Sequence, residues 1–272
     1  MTPAPSAVPA VATRIVQLLT AFKLPTLCAE LVPRFTGAGR ADVLPLLLEV
    51  LELEAGDRKE RRVDRLRRAS RLPPGKTFAT LDESRLPRPL VHKLRDLARA
   101  EFLDRAGNVL AFGLPGVGKS HAACAVGHAL VEAGHAVLFA PTYQLVQELL
   151  AAKRDLDLPR ALRKLDLFDL LILDDIGYVQ QSPEEIEVLF TLLAERYERR
   201  SLLITSNLVF SEWGQIFKNP MTTAAAIDRL VHHSVILEFA VPSYRTEKAN
   251  KPDESASAKD GDSAKAARAK GK

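Results

Sequence analysis

Eight consecutive residues, Gly113, Leu114, Pro115, Gly116, Val117, Gly118, Lys119 and Ser120, match the pattern GxxxxGK[ST]. That pattern serves phosphate chemistry. Glycines let the backbone curl until successive N–H groups point inward at phosphate oxygens, and a helix starting there adds the partial positive charge of its N-terminus. The lysine reaches the β and γ phosphates of a nucleotide, and the serine hydroxyl holds Mg²⁺. The expected nucleotide contacts are therefore Gly113, Pro115, Gly116, Val117, Gly118, Lys119, Ser120 and the adjoining His121, with ATP and Mg²⁺ as the ligands.

A second constellation begins at Asp169, where the apolar run 170–173 ends in Asp174 and Asp175. Beside a P-loop, Asp174 would complete the Mg²⁺ shell and Asp175 would orient or deprotonate the attacking water; by themselves the two read equally as solvated acids in a loop. The run 202–205 ends in Ser206 and Asn207. Asn207 suits a contact to the γ phosphate or the water, or else a turn or cap ahead of a helix expected at 211–217. Arg229 can act in trans on the γ phosphate of a neighbouring subunit or be an exposed helical arginine. Arg245, after Ser243 and Tyr244, is either a nucleotide sensor within its own subunit or a surface residue. The catalytic candidates are thus Lys119, Asp175, Asn207 and Arg229, and the metal candidates Ser120 and Asp174.

These residues need a scaffold that brings distant stretches together. Apolar runs at 109–112, 136–140, 170–173, 202–205 and 235–239 are separated by helix-length segments, and strands alternating with helices make a parallel sheet covered on both faces. An amphipathic helix is expected just before the first run, at 90–105. From 13 to 71 the apolar residues recur at helical spacing instead, as in Ile15, Leu18, Leu19 and Phe22, with breaks at Pro25 and at Gly37 to Gly39 and with Asp42 placed to cap the next helix. Residues 72–89 contain four prolines and read as a linker. The expected organisation is a flexible N-terminus at 1–12, a small all-α domain at 13–71, the linker, an α/β domain at 90–245, and a disordered tail at 246–272 that has no aromatic and no large apolar residue.

Composition bounds the function without choosing it. The chain of 272 residues is 47% hydrophobic and 26% charged, with a formal net charge of +4, which suits a globular protein and is compatible with a polyanionic partner. The basic residues cluster. Arg58, Lys59, Arg61, Arg62, Arg65, Arg67, Arg68 and Arg71 face only Glu60 and Asp64, a density that fits sequence-independent phosphate contacts or a solvated helix face. Cys28 and Cys124 have no disulfide or zinc spacing, and the histidines form no metal motif. No signal peptide or membrane span is legible, so a cytoplasmic location is expected.

In order along the chain, GLPGVGKS, DLLILDDIGY, LLITSN, AIDRL and SYR resemble the AAA+ ATPase module of the DnaA and DnaC clade of initiators and helicase loaders, over roughly residues 72–245. FKLPT, RLRRASRLP and AEFLDRAGNVLAFGLPGVGKSH resemble, within that clade, the IstB-type helper ATPases of insertion sequences. The resemblance implies an ATP-dependent homo-oligomer on duplex DNA that remodels a transposition target and cooperates with a separate transposase, with Arg229 acting in trans. It also implies that the segment between the second and third strands touches nucleic acid, which adds Lys153, Arg154, Arg160, Arg163 and Lys164 to the DNA candidates. Asp175 stands where AAA+ proteins commonly carry Glu, one methylene longer, so slow hydrolysis is expected. With the tail read as disordered, the usual C-terminal helical lid has no room.

Other readings compete. A DnaC-like helicase loader would share every ATPase motif but favour single-stranded DNA and a replicative helicase. A small-molecule kinase would need an acceptor pocket and a closing lid. A nucleotide-gated binding module would hydrolyse negligibly.

Overall fold

The computed structural model describes residues 7–178 and 182–243. The chain divides into two units between Arg68 and Ala69.

The first unit holds α1 (Ala7–Ala21), α2 (Pro25–Gly37) and α3 (Leu44–Ala69), which is entered through a 3-10 turn at Ala41–Val43. Pro25 occupies the first turn of α2, where its missing N–H costs nothing. Asp42 does not cap α3. It lies inside the 3-10 turn and pairs with Arg40 at 3.5 Å. Ile15, Leu19 and Leu44 form a small core with Leu31, Val32, Phe35 and Leu51 packed around it. The apolar stretch near Leu53 and the basic run belong to one continuous helix of 26 residues, α3.

The second unit contains α4 (Arg88–Leu97), β1 (Asn108–Gly113), α5 (Lys119–Glu132), β2 (Val137–Pro141), α6 (Thr142–Arg154), α7 (Leu158–Leu165) and β3 (Leu170–Asp174). It continues with α8 (Pro183–Arg196), β4 (Ser201–Ser206), α9 (Gly214–Phe217), α10 (Pro220–Val231) and β5 (Ser234–Phe239). The five strands form one parallel sheet in the order β2-β3-β4-β1-β5. Helices cover it on both faces, so the central strands are buried throughout and read as unbroken apolar runs. This is the P-loop AAA+ architecture, and each strand falls on an expected run.

The order of strands decides where the site forms. Because β3, β4 and β1 are neighbours and all run the same way, their C-terminal ends open onto one crevice. Register is equally specific: Leu173 lies opposite Ile204, which puts the next residues, Asp174 and Thr205, side by side.

Further local expectations differ from the structure. The helix foreseen at 90–105 ends at Leu97, and Ala100 adopts a left-handed φ of 69° before a separate 3-10 turn at Leu103–Arg105. The helix foreseen at 211–217 is a 3-10 turn at Phe210–Glu212 followed by the short α9. Residues 72–86, expected as part of a linker, are held on the second unit. Leu72 and Leu86 are buried, Phe139 donates its N–H to Ser70 O at 2.7 Å, and His128 Nε2 lies 3.0 Å from Pro73 O. Proline density marks extended chain, but extended chain can pack as well as span. Residues 7–12, expected as part of a flexible N-terminus, form the start of α1, while the readings on 1–6, on Arg245 and on the tail and lid lie outside the described residues.

Candidate nucleotide site

The loop between β1 and α5 carries Gly113 to Ser120, and its backbone needs the glycines. Gly113 takes φ 155°, and a Cβ there would lie 2.8 Å from Phe239 O on the neighbouring β5. Gly118 takes φ 98° immediately before α5 begins at Lys119. Both conformations are rare for residues with a side chain. Lys119 is buried, and its Nζ donates to Gly113 O at 2.7 Å and Leu114 O at 2.9 Å, which aims a cation along the mouth of the loop.

Across the crevice, β3 ends in Asp174, and Asp175 follows it. Thr205, on β4, ties them together: its hydroxyl donates to Asp174 Oδ1 at 2.6 Å and accepts the Asp175 N–H at 2.9 Å. Asp174 is held from the other side by Thr142, whose Oγ1 donates to the Asp174 carbonyl at 2.9 Å. Asp175 has a left-handed φ of 65°, so the chain turns sharply as it leaves the strand and presents the two acids differently. Thr205 and Thr142 escaped sequence reading because a threonine at the end of an apolar run looks like any strand or helix boundary.

Asn207 follows β4. Its Oδ1 is buried without a hydrogen-bond partner, and the cap position of the following 3-10 turn is Val209, which removes the capping role. Room for this side chain is made by Gly177, where a Cβ would overlap the Asn207 Oδ1.

Pro115, Gly116, Val117, Gly118, Lys119, Ser120, His121, Asp174, Asp175 and Asn207 line one cavity of about 440 Å³. The fold therefore brings together stretches nearly a hundred residues apart in sequence. The remaining wall comes from the supposed linker, through Lys76, Thr80, Leu81, Asp82 and Leu86. His121 fastens that wall, its Nε2 lying 3.1 Å from both Thr77 O and Thr80 Oγ1. Sequence reading missed these five residues, because no motif spans a proline-rich stretch.

Arg229 does not join them. Half-buried on α10, it stacks its guanidinium 4.9 Å from the centre of the Phe190 ring and donates to Ala225 O at 3.4 Å.

The site residues thus have the form of a P-loop nucleotide pocket, and comparison with known proteins gives the family. The IstB-like ATP binding protein family matches residues 21–252, reaching into both units. The chain belongs to this family. An insertion-sequence ATP-binding protein of Sinorhizobium fredii (strain NBRC 101917 / NGR234) is 44% identical over 84% of this chain and 78% of its own length. The ATP-binding protein of insertion sequence IS21 from Pseudomonas aeruginosa is 39% identical over 75% and 77% of the two chains. Among solved structures, domain III of the Thermotoga maritima replication initiation protein DnaA superposes with a TM-score of 0.53 at 17% identity, over 66% of this chain and 73% of that one. DnaI superposes with 0.52 at 19%, over 62% and 95%. At such identities the solved structures establish the fold alone. As an IstB-like protein the chain is a P-loop ATPase of the insertion-sequence class.

The basic candidates separate by their partners. On α3, Arg58 is bonded to Glu54 at 2.6 Å and lies over the Phe22 ring, Arg61 is within ion-pair distance of Glu54 and Asp57, and Arg67 is bonded to Asp64 at 2.6 Å. Arg58 holds the Glu54 carboxyl below the usual carboxylate range. Arg62 also has a partner. Among the described residues, Lys59, Arg65 and Arg68 make no ion pair. On the second unit Lys153 is paired with Glu187 at 2.5 Å and Arg160 approaches Asp157 at 4.0 Å, whereas exposed Arg154, Arg163 and Lys164 are unpaired among the described residues.

Proposed function

We propose that the protein uses Mg²⁺ and ATP to assemble as a homo-oligomer on duplex DNA, prepares that DNA as a transposition target, and activates a partner transposase. The observation that carries the reading is the convergence of Lys119, Ser120, Asp174, Asp175 and Asn207 on one cavity in a chain of the IstB-like family.

The residues fit the ligands. Ser120 and Asp174 offer a hydroxyl and a carboxylate to the same space, the hard oxygen donors that Mg²⁺ takes. Asn207 Oδ1 is a buried acceptor with its hydrogen bond unmade, which a water proton would satisfy. A bound Mg²⁺–triphosphate supplies an electrophilic γ phosphorus and a good leaving group. Lys119 neutralises charge on the β and γ oxygens, Asp175 and Asn207 orient the attacking water, and Asp175 accepts its proton. Arg229 acts from a neighbouring subunit, a placement consistent with its not lining the cavity of its own chain. Asp175, a methylene shorter than glutamate, holds the water loosely and keeps turnover slow.

The DNA reading rests on the unpaired cations of α3 and of α6–α7, which offer phosphate contacts without base-reading chemistry. It is tested by binding random-sequence duplex and single strands with and without ATP and Mg²⁺, using Lys119→Ala as a control. Large ATP-dependent complexes on duplex, lost in the variant, are expected. Preference for single strands, or binding indifferent to nucleotide, would replace this reading with that of a helicase loader.

A further inference from the structure

The segment 70–86 takes a definite route. Ser70 O accepts the Phe139 N–H of β2. Leu72 then packs at Gly127 of α5 beside Ile172 of β3, so closely that a Cβ on Gly127 would lie 3.0 Å from Leu72 and 2.8 Å from Ile172. Pro73 meets His128, and Thr77 and Thr80 meet His121, one face of α5 nearer its N-terminus. The chain thus climbs the β3 flank of α5 toward the end of β3, where Asp174 stands. Between the two histidine fastenings lies Lys76.

Lys76 is half-buried and lines the nucleotide cavity. Among the described residues its ammonium has neither a hydrogen bond nor an ion pair. Lys76 shares that cavity with Ser120 and Asp174. A second ammonium in the cavity that Lys119 lines is repulsive by itself and becomes favourable only against a polyanion.

We propose that Lys76 contacts the γ phosphate of bound ATP, delivered by the 70–86 strap rather than by the P-loop, so that the strap distinguishes triphosphate from diphosphate. The inference rests on the reading of the cavity as the ATP site. It gives the strap, which continues directly from α3, a means of registering nucleotide state.

The test is equilibrium binding of ATP and ADP, each with Mg²⁺, to the full chain as wild type, Lys76→Ala, Lys76→Arg and Lys119→Ala. Lys76→Ala is expected to weaken ATP about tenfold and ADP less than about twofold, the difference one charge-assisted hydrogen bond makes, with Lys76→Arg recovering most of the loss. Wild-type affinities in Lys76→Ala, or equal losses for both nucleotides, would overturn the inference. A wild type that binds neither nucleotide, or unaltered binding in Lys119→Ala, would instead overturn the reading of the cavity, and the inference with it. An independent readout is acetylation of Lys76 in the wild-type chain, followed by mass spectrometry. Protection by a non-hydrolysable ATP analogue but not by ADP is expected, and equal labelling in both states contradicts the proposal.

Discussion

The Thr205 hydroxyl donates to Asp174 and accepts from the Asp175 backbone, so one side chain sets the positions of both acids. Thr205→Val keeps the shape and removes both bonds. Turnover is expected to fall about 10- to 100-fold, as when a ligand's orienting partner is lost, with a smaller change in ATP affinity. Steady-state hydrolysis and equilibrium nucleotide binding on the same preparation check this, and unchanged turnover would remove Thr205 from the machinery. Cys124 yields a pH dependence. Its thiol ionises near 9.0 in a free chain and at about 12 when folded, so both states are neutral below the lower value. Between the two values the unfolded chain releases a proton that the folded one retains. Stability therefore falls as pH rises through that window, by up to about 1.4 kcal/mol per pH unit from this group. Cys124→Ala lacks the slope, so the stability advantage of the wild type over the variant should shrink between pH 8 and pH 10 in thermal unfolding. An advantage that stays constant would show that the thiol does not govern it.

At the scale of elements, α7 and the turn into β3 depend on one buried cation. Arg196, at the end of α8, donates to Leu165 O at 2.9 Å and to Phe168 O and Ser201 O at 3.0 Å each. Burial lowers its pKa to about 10, against the pull of Asp166, and the carbonyl dipoles hold it charged. Arg196→Met leaves those carbonyls without their donors, so about 3 kcal/mol of unfolding free energy should be lost, read from urea denaturation. A loss under about 1 kcal/mol would mean that water replaces the guanidinium. The exposed cations of this region lie on α6 and α7 themselves. Replacing Arg154, Arg163 and Lys164 together by Ala should flatten the dependence of log K for duplex on log salt by about 0.9 for each phosphate contact removed. A slope equal to that of the wild type would take this face out of the DNA interface.

At the scale of the whole molecule, the role proposed for Arg229 would make hydrolysis a property of the assembly rather than of the single chain. This residue stacks on Phe190 and does not line the cavity of its own chain. Arg229→Ala should leave ATP affinity near that of the wild type while lowering turnover in the DNA-bound state. A mixture of Arg229→Ala and Lys119→Ala chains should recover part of the activity, because an intact pocket on one subunit can meet an intact arginine on the next. Steady-state hydrolysis of the mixture, compared with each variant alone, decides the matter. No recovery, together with full activity of Arg229→Ala, would remove the role in trans. Among the described residues no helix is long and apolar enough to cross a membrane.

The P-loop, the acids of β3 and the five strands were legible in sequence because each depends on local chemistry. Glycine spacing serves a backbone curl, an apolar run serves a buried strand, and both can be read over fewer than ten residues. Long-range partners leave no such trace. Nothing in a single threonine announces that strand order and register will set Thr205 beside Asp174, nor does a partnerless asparagine declare itself before Gly177 is known to make room for it. The proline-rich stretch was legible as extended chain. Only packing on α5, through Leu72, His121 and His128, turned it from a connection into a wall of the site. Sequence by itself thus determined which chemistry the chain carries, since phosphate binding resides in a short contiguous motif. Tertiary structure decided which other residues share that chemistry, because parallel strand order and helix packing bring together groups far apart in the chain.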